Sequence, residues 1–364
     1  MKYFRAVIYI IPFLIIHNVY CAEFAIDGLV NFQNFNSNLG KKNNNKFFIN
    51  GGLNFKFWKS LKNNKKYGFH VKLNPNMLNE NNKKDQENIY PVEQVVGYFE
   101  NKLGRFEVGN YTSISNSIDA NTIVNFMNDN SLLYLGDIVS ERDSGFKYFP
   151  LDTFFPTNSI NAFGVSGKNS AKLNYYTPEF DGIRFAISYT PTIKKFGNEE
   201  ILKNIAELGV LYTGEIENIG IKLSNILQFG KNKNDRKFYG WLFSSNMNYQ
   251  GVSFCFSYGN LNKYNLGNIN NTSKTVYWTT GFQYSFGPVS TNINYIRNKT
   301  GDWYSINSDG IGYKNLMWGL EYRIAKGIST YTEVSTFHFN NKVQHKENLK
   351  LKGRAITAGI KFKF

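Results

Sequence analysis

Apolar and polar residues alternate along most of this chain in runs of about ten residues. Phe47, Ile49, Gly51, Leu53, Phe55 and Phe57 share one phase, and Lys46, Asn50, Gly52, Asn54 and Lys56 share the other, with Phe48 as an exception. A period of two residues indicates β-strands with one apolar and one polar face. Strands of soluble sandwiches average about 5–6 residues, whereas strands that cross a membrane need about 9–11. The length of the runs therefore favours a membrane-spanning barrel over a soluble sandwich.

The breaks between these runs alternate between short and long. Barrels of the outer membrane have short periplasmic turns and longer external loops. Counting the runs predicts about sixteen strands, an even number that leaves both chain ends on the periplasmic side. We therefore predict an all-β protein folded as a transmembrane antiparallel β-barrel. Short turns are expected at residues 214–218, 250–251, 287–288 and 324–327, and long loops at 34–45, 75–90, 191–206, 260–274 and 298–313.

The end of the chain has the clearest alternation. Ile356, Ala358, Ile360, Phe362 and Phe364 alternate with polar or small residues. Such a strand has to pair with the first one, expected at residues 24–32, because the barrel would otherwise keep an open edge in lipid. We expect Ile360, Phe362 and Phe364 to form the assembly signal of the barrel. An ordinary last strand of a soluble sheet would show the same local pattern.

Residues 1–21 have the features of a cleavable secretory signal. Lys2 and Arg5 precede an apolar run over residues 6–16 that only Pro12 interrupts. The run is too short to span a bilayer, and no stop-transfer pattern follows. A lipoprotein modified at Cys21 and a retained N-terminal anchor are the alternatives. Removing the signal leaves residues 22–364 as the barrel and Cys255 as its single thiol, so no disulfide forms within it.

Composition excludes several other classes of protein. A mean hydropathy of −0.39 and 42% hydrophobic residues do not fit a bundle of membrane helices. The net charge is +15, or +13 without Lys2 and Arg5, and the basic residues are spread over the whole chain. No motif of a nucleic-acid-binding module, nucleotide loop or metal cluster occurs. We therefore expect no nucleic-acid partner, no cofactor and no metal.

Two segments resemble the Gram-negative general (trimeric) porin family. Residues 169–191, NSAKLNYYTPEFDGIRFAISYTP, are similar to its strand that opens with Asn-Ser, its Ser/Thr-Pro-x-Phe-x-Gly turn and its returning Phe-rich strand. The family's tyrosine is displaced here, since Leu173 occupies its usual position and the tyrosine follows at Tyr175. Residues 103–110, LGRFEVGN, are similar to the strand before the family's third external loop. The terminal Phe364 also fits.

The resemblance implies a homotrimer of water-filled barrels in the bacterial outer membrane, each narrowed by a third external loop folded into the lumen. Residues 111–168 contain no convincing strand pattern and are expected to form this constriction loop. A loop of that length is uncommon and usually has a role. An inserted small domain is the alternative.

The phase of each strand predicts which charges line the pore. A charge on the lipid face costs about 2–4 kcal/mol at the middle of the membrane, so an inward position is favoured. Each of these residues could instead be a solvated charge near a strand end. The candidates for the basic wall are Lys56, Lys72, Arg105, Lys172, Arg184, Lys222 and Arg323, with His70 also in the inward phase.

The expected constriction loop carries acidic residues that could face this wall. The family resemblance implies that arrangement. We expect Lys56, Lys72 and Arg105 to be the wall residues that face the loop, because they precede it in neighbouring strands. Simple solvation on an external loop is the alternative for each acid, and the sequence does not say which one faces the wall. The candidate acids are Asp119, Asp129, Asp137, Glu141, Asp143 and Asp152.

These features predict a general diffusion porin that passes ions and small hydrophilic solutes with mild anion preference. An outer-membrane enzyme is disfavoured, because the mature chain has only His70, His338 and His345 and contains no GxSxG or HExxH element. A substrate-specific channel of the anion or phosphate type remains an alternative. So does a surface adhesin or antigen carried on a passive barrel.

Overall fold

The computed structural model describes residues 23–39, 42–73, 92–120, 170–194, 200–232, 235, 237–262, 275–300, 311–341 and 349–364. The predicted signal segment lies outside these residues. The strands are β1 (Glu23–Leu39), β2 (Lys42–Leu61), β3 (Lys65–Leu73), β4 (Val92–Asn101), β5 (Gly104–Tyr111), β6 (Ser170–Tyr176), β7 (Ile183–Lys194), β8 (Glu200–Ile216), β9 (Ile219–Asn232), β10 (Lys237–Tyr249), β11 (Val252–Asn262), β12 (Thr275–Phe286), β13 (Val289–Thr300), β14 (Ile311–Ala325), β15 (Ile328–Asn341) and β16 (Leu349–Lys363). A short helix, α1 (Ser115–Ile118), follows β5.

The strands form one closed antiparallel barrel. Each strand pairs with its neighbours in the chain, and β16 returns to pair with β1. This confirms the predicted transmembrane β-barrel of about sixteen strands. No helix in the described ranges has the length and apolar character needed to cross a bilayer.

The alternation in the sequence becomes an apolar outer face and a polar inner face. In one row of cross-strand partners, Ile293, Trp318, Val334 and Ile356 all point outward from β13 to β16. The row of partners Ser244 and Ser257 on β10 and β11 points inward and is fully buried. Large apolar side chains are therefore exposed on the outside of the barrel, as a lipid environment requires.

Tight turns connect the strands at the end of the barrel where the chain termini lie. The turns at Gln250 and Gly251 and at Gly287 and Pro288 occur as predicted, and Gly251 adopts a φ of +82°. The other two short turns are tighter than expected. β8 continues to Ile216 and β14 to Ala325, because their ladder hydrogen bonds persist up to the last residues before the turn.

Several strands extend into the residues expected to form long loops. β1 and β2 pair as far as Leu39 and Lys42, inside the loop expected at 34–45. β7 runs to Lys194 and β8 starts at Glu200, inside the loop expected at 191–206. Likewise β11 and β13 extend into the loops expected at 260–274 and 298–313. The physical reason is that backbone pairing continues above the apolar band, where polar side chains are as acceptable as apolar ones. The loop expected at 75–90 lies outside the described residues.

The barrel closes between Gly28 and the last residue of the chain. The backbone N–H of Gly28 donates to the carbonyl of Phe364 at 3.0 Å, and the N–H of Phe364 donates back at 3.1 Å. β16 pairs with residues Leu29 to Leu39 of β1, so the predicted closure against the first strand is confirmed, and the pairing extends beyond the expected segment 24–32. The ring of Phe364 occupies the space that a side chain at Gly28 would need. Ile360, Phe362 and Phe364 all lie on the outer face, and their role as an assembly signal stays a prediction.

We expect Phe364→Ala to destabilise the barrel by about 1 kcal/mol, because the ring no longer covers the Gly28 backbone at the closing seam. The midpoint of urea unfolding in detergent micelles measures the loss. The matched control is Phe180→Ala in the β6–β7 turn, since both side chains are 63% exposed. Equal losses in the two variants would contradict a special role for the seam.

Candidate functional site: the lumen of the barrel

The inner face of the barrel is lined by polar side chains in continuous rows. Tyr98, Glu107, Asn174, Ser188, Glu207 and Gln228 are successive cross-strand partners from β4 to β9. Gln228 donates to Glu207 at 2.7 Å, and Ser188 donates to Asn174 at 2.8 Å. These hydrogen bonds satisfy polar groups that would otherwise be buried without partners. The row forms a polar ring segment around the lumen.

The three cations expected to face the constriction loop lie on this inner face, and each is bound to an acid of the wall itself. Lys56 Nζ is 2.6 Å from an oxygen of Asp27, the neighbouring inward residue on β1. Lys72 Nζ is 3.1 Å from Glu93. The wall therefore carries alternating charges at close range.

Arg105 is the third of these cations and has the most contacts. Its Nε donates to Glu107 at 2.8 Å, and its Nη1 lies 3.6 Å from Glu100. The guanidinium also stacks over the ring of Tyr98, with 4.1 Å between its carbon and the ring centroid. These contacts hold the side chain against the wall.

The remaining cations share the inward phase but are not brought together. Lys172 is buried near the external end of β6, whereas Arg184 lies at the periplasmic end of β7 and is 3.3 Å from Glu179. Lys222 and Arg323 lie near the periplasmic ends of β9 and β14, with no carboxylate within ion-pair distance among the described residues. The seven cations therefore do not form a single file at one depth.

The chain that follows β5 folds into the lumen and is bound to the inner wall. The carboxylate of Glu207 adjoins Ser113 and Ser115, whose hydroxyl oxygens are 2.6 Å apart and hydrogen-bonded to each other. Ser117 donates to the hydroxyl of Tyr176 at 2.9 Å. The N–H of Ala120 donates to the hydroxyl of Ser224 at 2.9 Å. We call residues 112–120 the anchored segment.

An apolar patch on the wall receives the anchored segment. Ile114 and Ile118 of the segment are 0% and 1% exposed, and they pack with Ile226 and Leu242 of the wall. Gly209 of β8 lies directly beneath Ile118, where an added Cβ would come within 3.3 Å of it. Apolar residues on the inner face of a water-filled barrel need such a cover, because exposure to water is unfavourable.

The acids predicted for the constriction loop are described only in part. Asp119 lies at the C-terminal end of α1, half-buried in the anchored segment. Asp129, Asp137, Glu141, Asp143 and Asp152 lie outside the described residues, as do residues 121–168 of the expected loop. An acidic loop facing the basic wall therefore stays a prediction.

Reasoning from the sequence missed the acids of the wall. Asp27, Glu93, Glu107 and Glu207 lie on inward positions of their strands and bind wall cations or the anchored segment. The phase argument applied to the lysines and arginines would have found Asp27, Glu107 and Glu207 as well. Glu93 lies next to a register shift, so a simple period of two does not place it.

Charge is distributed unevenly around the lumen. From β1 to β9 the inner face carries the ion pairs described above. On β10 to β13, by contrast, no inward position in the described ranges holds a charged residue. Serine, asparagine and threonine take their place, including Asn246, Thr279 and Asn292. One side of the lumen is thus ionic, whereas the inward positions of β10 to β13 are uncharged in the described ranges. Within the described residues no group of three or more potential ligands could hold a metal ion.

Comparison with known proteins agrees with this architecture. The family model described as Gram-negative porin matches residues 21–342. The chain belongs to the Gram-negative porin family. This porin accordingly lies in the bacterial outer membrane. It is also 22% identical over 273 residues to an uncharacterised protein of Rickettsia conorii, an alignment that spans 59% of this chain and only 60% of the relative.

Solved structures share the fold of this porin at low sequence identity. An anion-selective porin from Comamonas acidovorans has a TM-score of 0.62 and 14% identity, with 94% of this chain and 100% of the other covered. The trimer form of OmpT, an outer membrane protein of Vibrio cholerae, has a TM-score of 0.61 and 11% identity, with coverages of 94% and 99%. Identities this low show the fold alone.

We expect Ile118→Asp to release the anchored segment from the wall. The change removes about 2 kcal/mol of apolar burial and places a carboxylate in an apolar patch. Single-channel conductance in planar bilayers should rise, because the segment then occupies less of the lumen. Ser117→Ala, which loses the hydroxyl contacts to Tyr176 and to the Ile114 carbonyl but keeps the apolar packing, is the control. Unchanged conductance in Ile118→Asp would show that the segment does not narrow the path.

Proposed function

We propose that this porin is a general diffusion channel for ions and small hydrophilic solutes, with mild anion preference and without covalent chemistry. The observation that carries the proposal is the closed barrel whose inner face is mainly polar, apart from the apolar patch that the anchored segment covers. Width and fixed charge then decide what passes. The anchored segment narrows the path from one side.

The mild anion preference is supported by the balance of charge on the inner face. Lys56, Lys72 and Arg105 have carboxylate partners on the wall, so each contributes less field than a lone cation. Lys222 and Arg323 have no such partner in the described ranges. Extensive pairing alongside these two unpaired cations favours a weak preference over a strong one.

We further propose that the protein acts as a homotrimer. The support is the similarity in fold to the trimer form of Vibrio cholerae OmpT. Each trimer would insert three barrels into a bilayer at once, so its conductance should fall in three equal steps when voltage closes the barrels. Insertion events that each close in one step would contradict the trimer and leave the channel proposal intact.

The channel itself is tested with the refolded mature protein. Liposome swelling with sugars of increasing mass should show rapid uptake of small sugars and a size cutoff, because a water-filled bore excludes large solutes. Reversal potentials in a KCl gradient should show weak anion preference. A barrel that gives no swelling and no conductance would support the passive adhesin, and clear cation preference would overturn the proposed selectivity.

Removing one wall acid should strengthen the anion preference. In Asp27→Asn, Lys56 loses its carboxylate partner while the amide keeps a similar shape. A unit charge roughly 8 Å from the ion path changes the local free energy by about 0.5 kcal/mol at the dielectric of water, which is about twofold in the permeability ratio. The reversal potential in a KCl gradient measures this shift.

Glu217→Gln is the matched control for Asp27→Asn. It removes the same charge at the exposed β8–β9 turn, outside the lumen. It should leave the permeability ratio close to that of the unaltered protein. An equal shift in both variants would mean that overall charge, rather than the wall pair, sets the preference.

A further inference from the structure

The outward face of β13 to β16 carries a row of basic side chains at its external end. Arg297 is the cross-strand partner of Lys314, Lys314 of His338, and His338 of Lys352. Arg354 lies one step closer to the periplasm on β16, beside the same row. All but the half-buried His338 are exposed. We call these five residues the basic row.

The basic row lies at the upper border of the apolar band. Four residues closer to the periplasmic end of β13, β14 and β16, the same outward face carries Ile293, Trp318 and Ile356, which are 50%, 43% and 53% exposed. With a rise of about 3.4 Å per residue and a strand tilt near 40°, the row lies about 10 Å closer to the external surface than these apolar residues. That depth corresponds to the headgroups of the external leaflet, because headgroups begin where the hydrocarbon core ends.

Among the described residues of β13 to β16, no acid on the outward face adjoins the four exposed cations of the row. In the described parts of β13 to β16, Glu321 and Glu333 both belong to the inward phase. The situation differs at the external end of β8 and β9, where Asp235 lies 3.0 Å from Lys203 and 3.7 Å from Lys231. The four exposed cations of the basic row therefore present their charge to whatever adjoins the barrel.

We propose that the basic row binds the phosphate groups of an anionic lipid in the external leaflet. Arginine and lysine donate strong charge-assisted hydrogen bonds to phosphate oxygens. The acyl chains of the same lipid would lie against Ile293, Trp318 and Ile356 directly below. Trp278, the cross-strand partner of Arg297 on β12, completes an interfacial site with an aromatic ring at headgroup level. A lipid thus pairs with the cations through its phosphate and covers the apolar residues with its acyl chains, whereas a free phosphate ion only pairs with the cations.

Lipid binding is tested with the refolded full-length barrel in detergent micelles. Quenching of tryptophan emission is compared for phosphatidylglycerol and phosphatidylcholine that carry bromine on their chains, since Trp278 and Trp318 adjoin the row. The unaltered protein should prefer the anionic lipid on the order of fivefold for each cation that meets a phosphate. The triple variant Arg297→Gln, Lys314→Gln, Lys352→Gln should lose that preference and keep the channel conductance.

A control variant separates the row from overall charge. Lys62→Gln, Lys65→Gln, Lys102→Gln removes the same charge from exposed positions at the periplasmic end. It should keep the preference for phosphatidylglycerol. Equal affinity of the unaltered protein for both lipids, or the same loss in both triple variants, would overturn the proposal.

Two further outcomes distinguish other occupants. Inorganic phosphate should not displace the brominated anionic lipid more than chloride does at equal ionic strength. Greater displacement by phosphate would mean a site for the free ion and would overturn the lipid assignment. A change of oligomeric state in the row variant, with lipid preference unchanged, would assign the row to contact between copies of this chain. Each result is independent of whether the lumen conducts.

Discussion

The structure depends on one constraint, the hydrogen bonding of backbone groups inside a lipid bilayer. No water is available there, so every strand needs a partner on both sides and the sheet has no permissible edge. Sixteen strands satisfy this by closing on themselves, and the mutual hydrogen bonds of Gly28 and Phe364 complete the seam. Once the ring is closed, each side chain faces either lipid or lumen. The chemistry of both surfaces follows from that division.

On the inner surface, most of the described cations are stabilised by ion pairs. The cations of β2, β3 and β5 meet acids on the same or adjacent strands, and the carboxylate of Glu207 accepts a hydrogen bond from Gln228 and adjoins Ser113 and Ser115. The wall that carries these pairs also carries the apolar patch beneath Ile114 and Ile118. A narrowing element thus lies against one side of the lumen, while the inward positions of β10 to β13 are uncharged in the described ranges.

On the outer surface, the position of charged side chains along the membrane normal is restricted. Uncharged residues occupy the outward positions of β13 to β16 through the middle of the strands, and within their described residues cations appear on this face only at the external ends. The pairing of charges in the lumen and their restriction to the external ends on the outside have the same cause. An unpaired charge is tolerated only where water or an ionic headgroup can solvate it. The lumen and the lipid interface are therefore separate electrostatic environments built on the same strands.

The sequence by itself determined the strand period, the approximate strand number and the inward phase of residues such as Lys56 and Arg105, because a strand places alternate residues on opposite faces whatever its neighbours are. Strand ends such as Leu39 and Lys194 could not be placed, since pairing beyond the apolar band leaves no trace in hydropathy. Only the tertiary structure decided which residues meet across strands. The partnership of Lys56 with Asp27, the fit of Ile118 over Gly209 and the alignment of Arg297 with Lys352 all depend on register. Register is set by closure of the whole ring, which no local segment encodes.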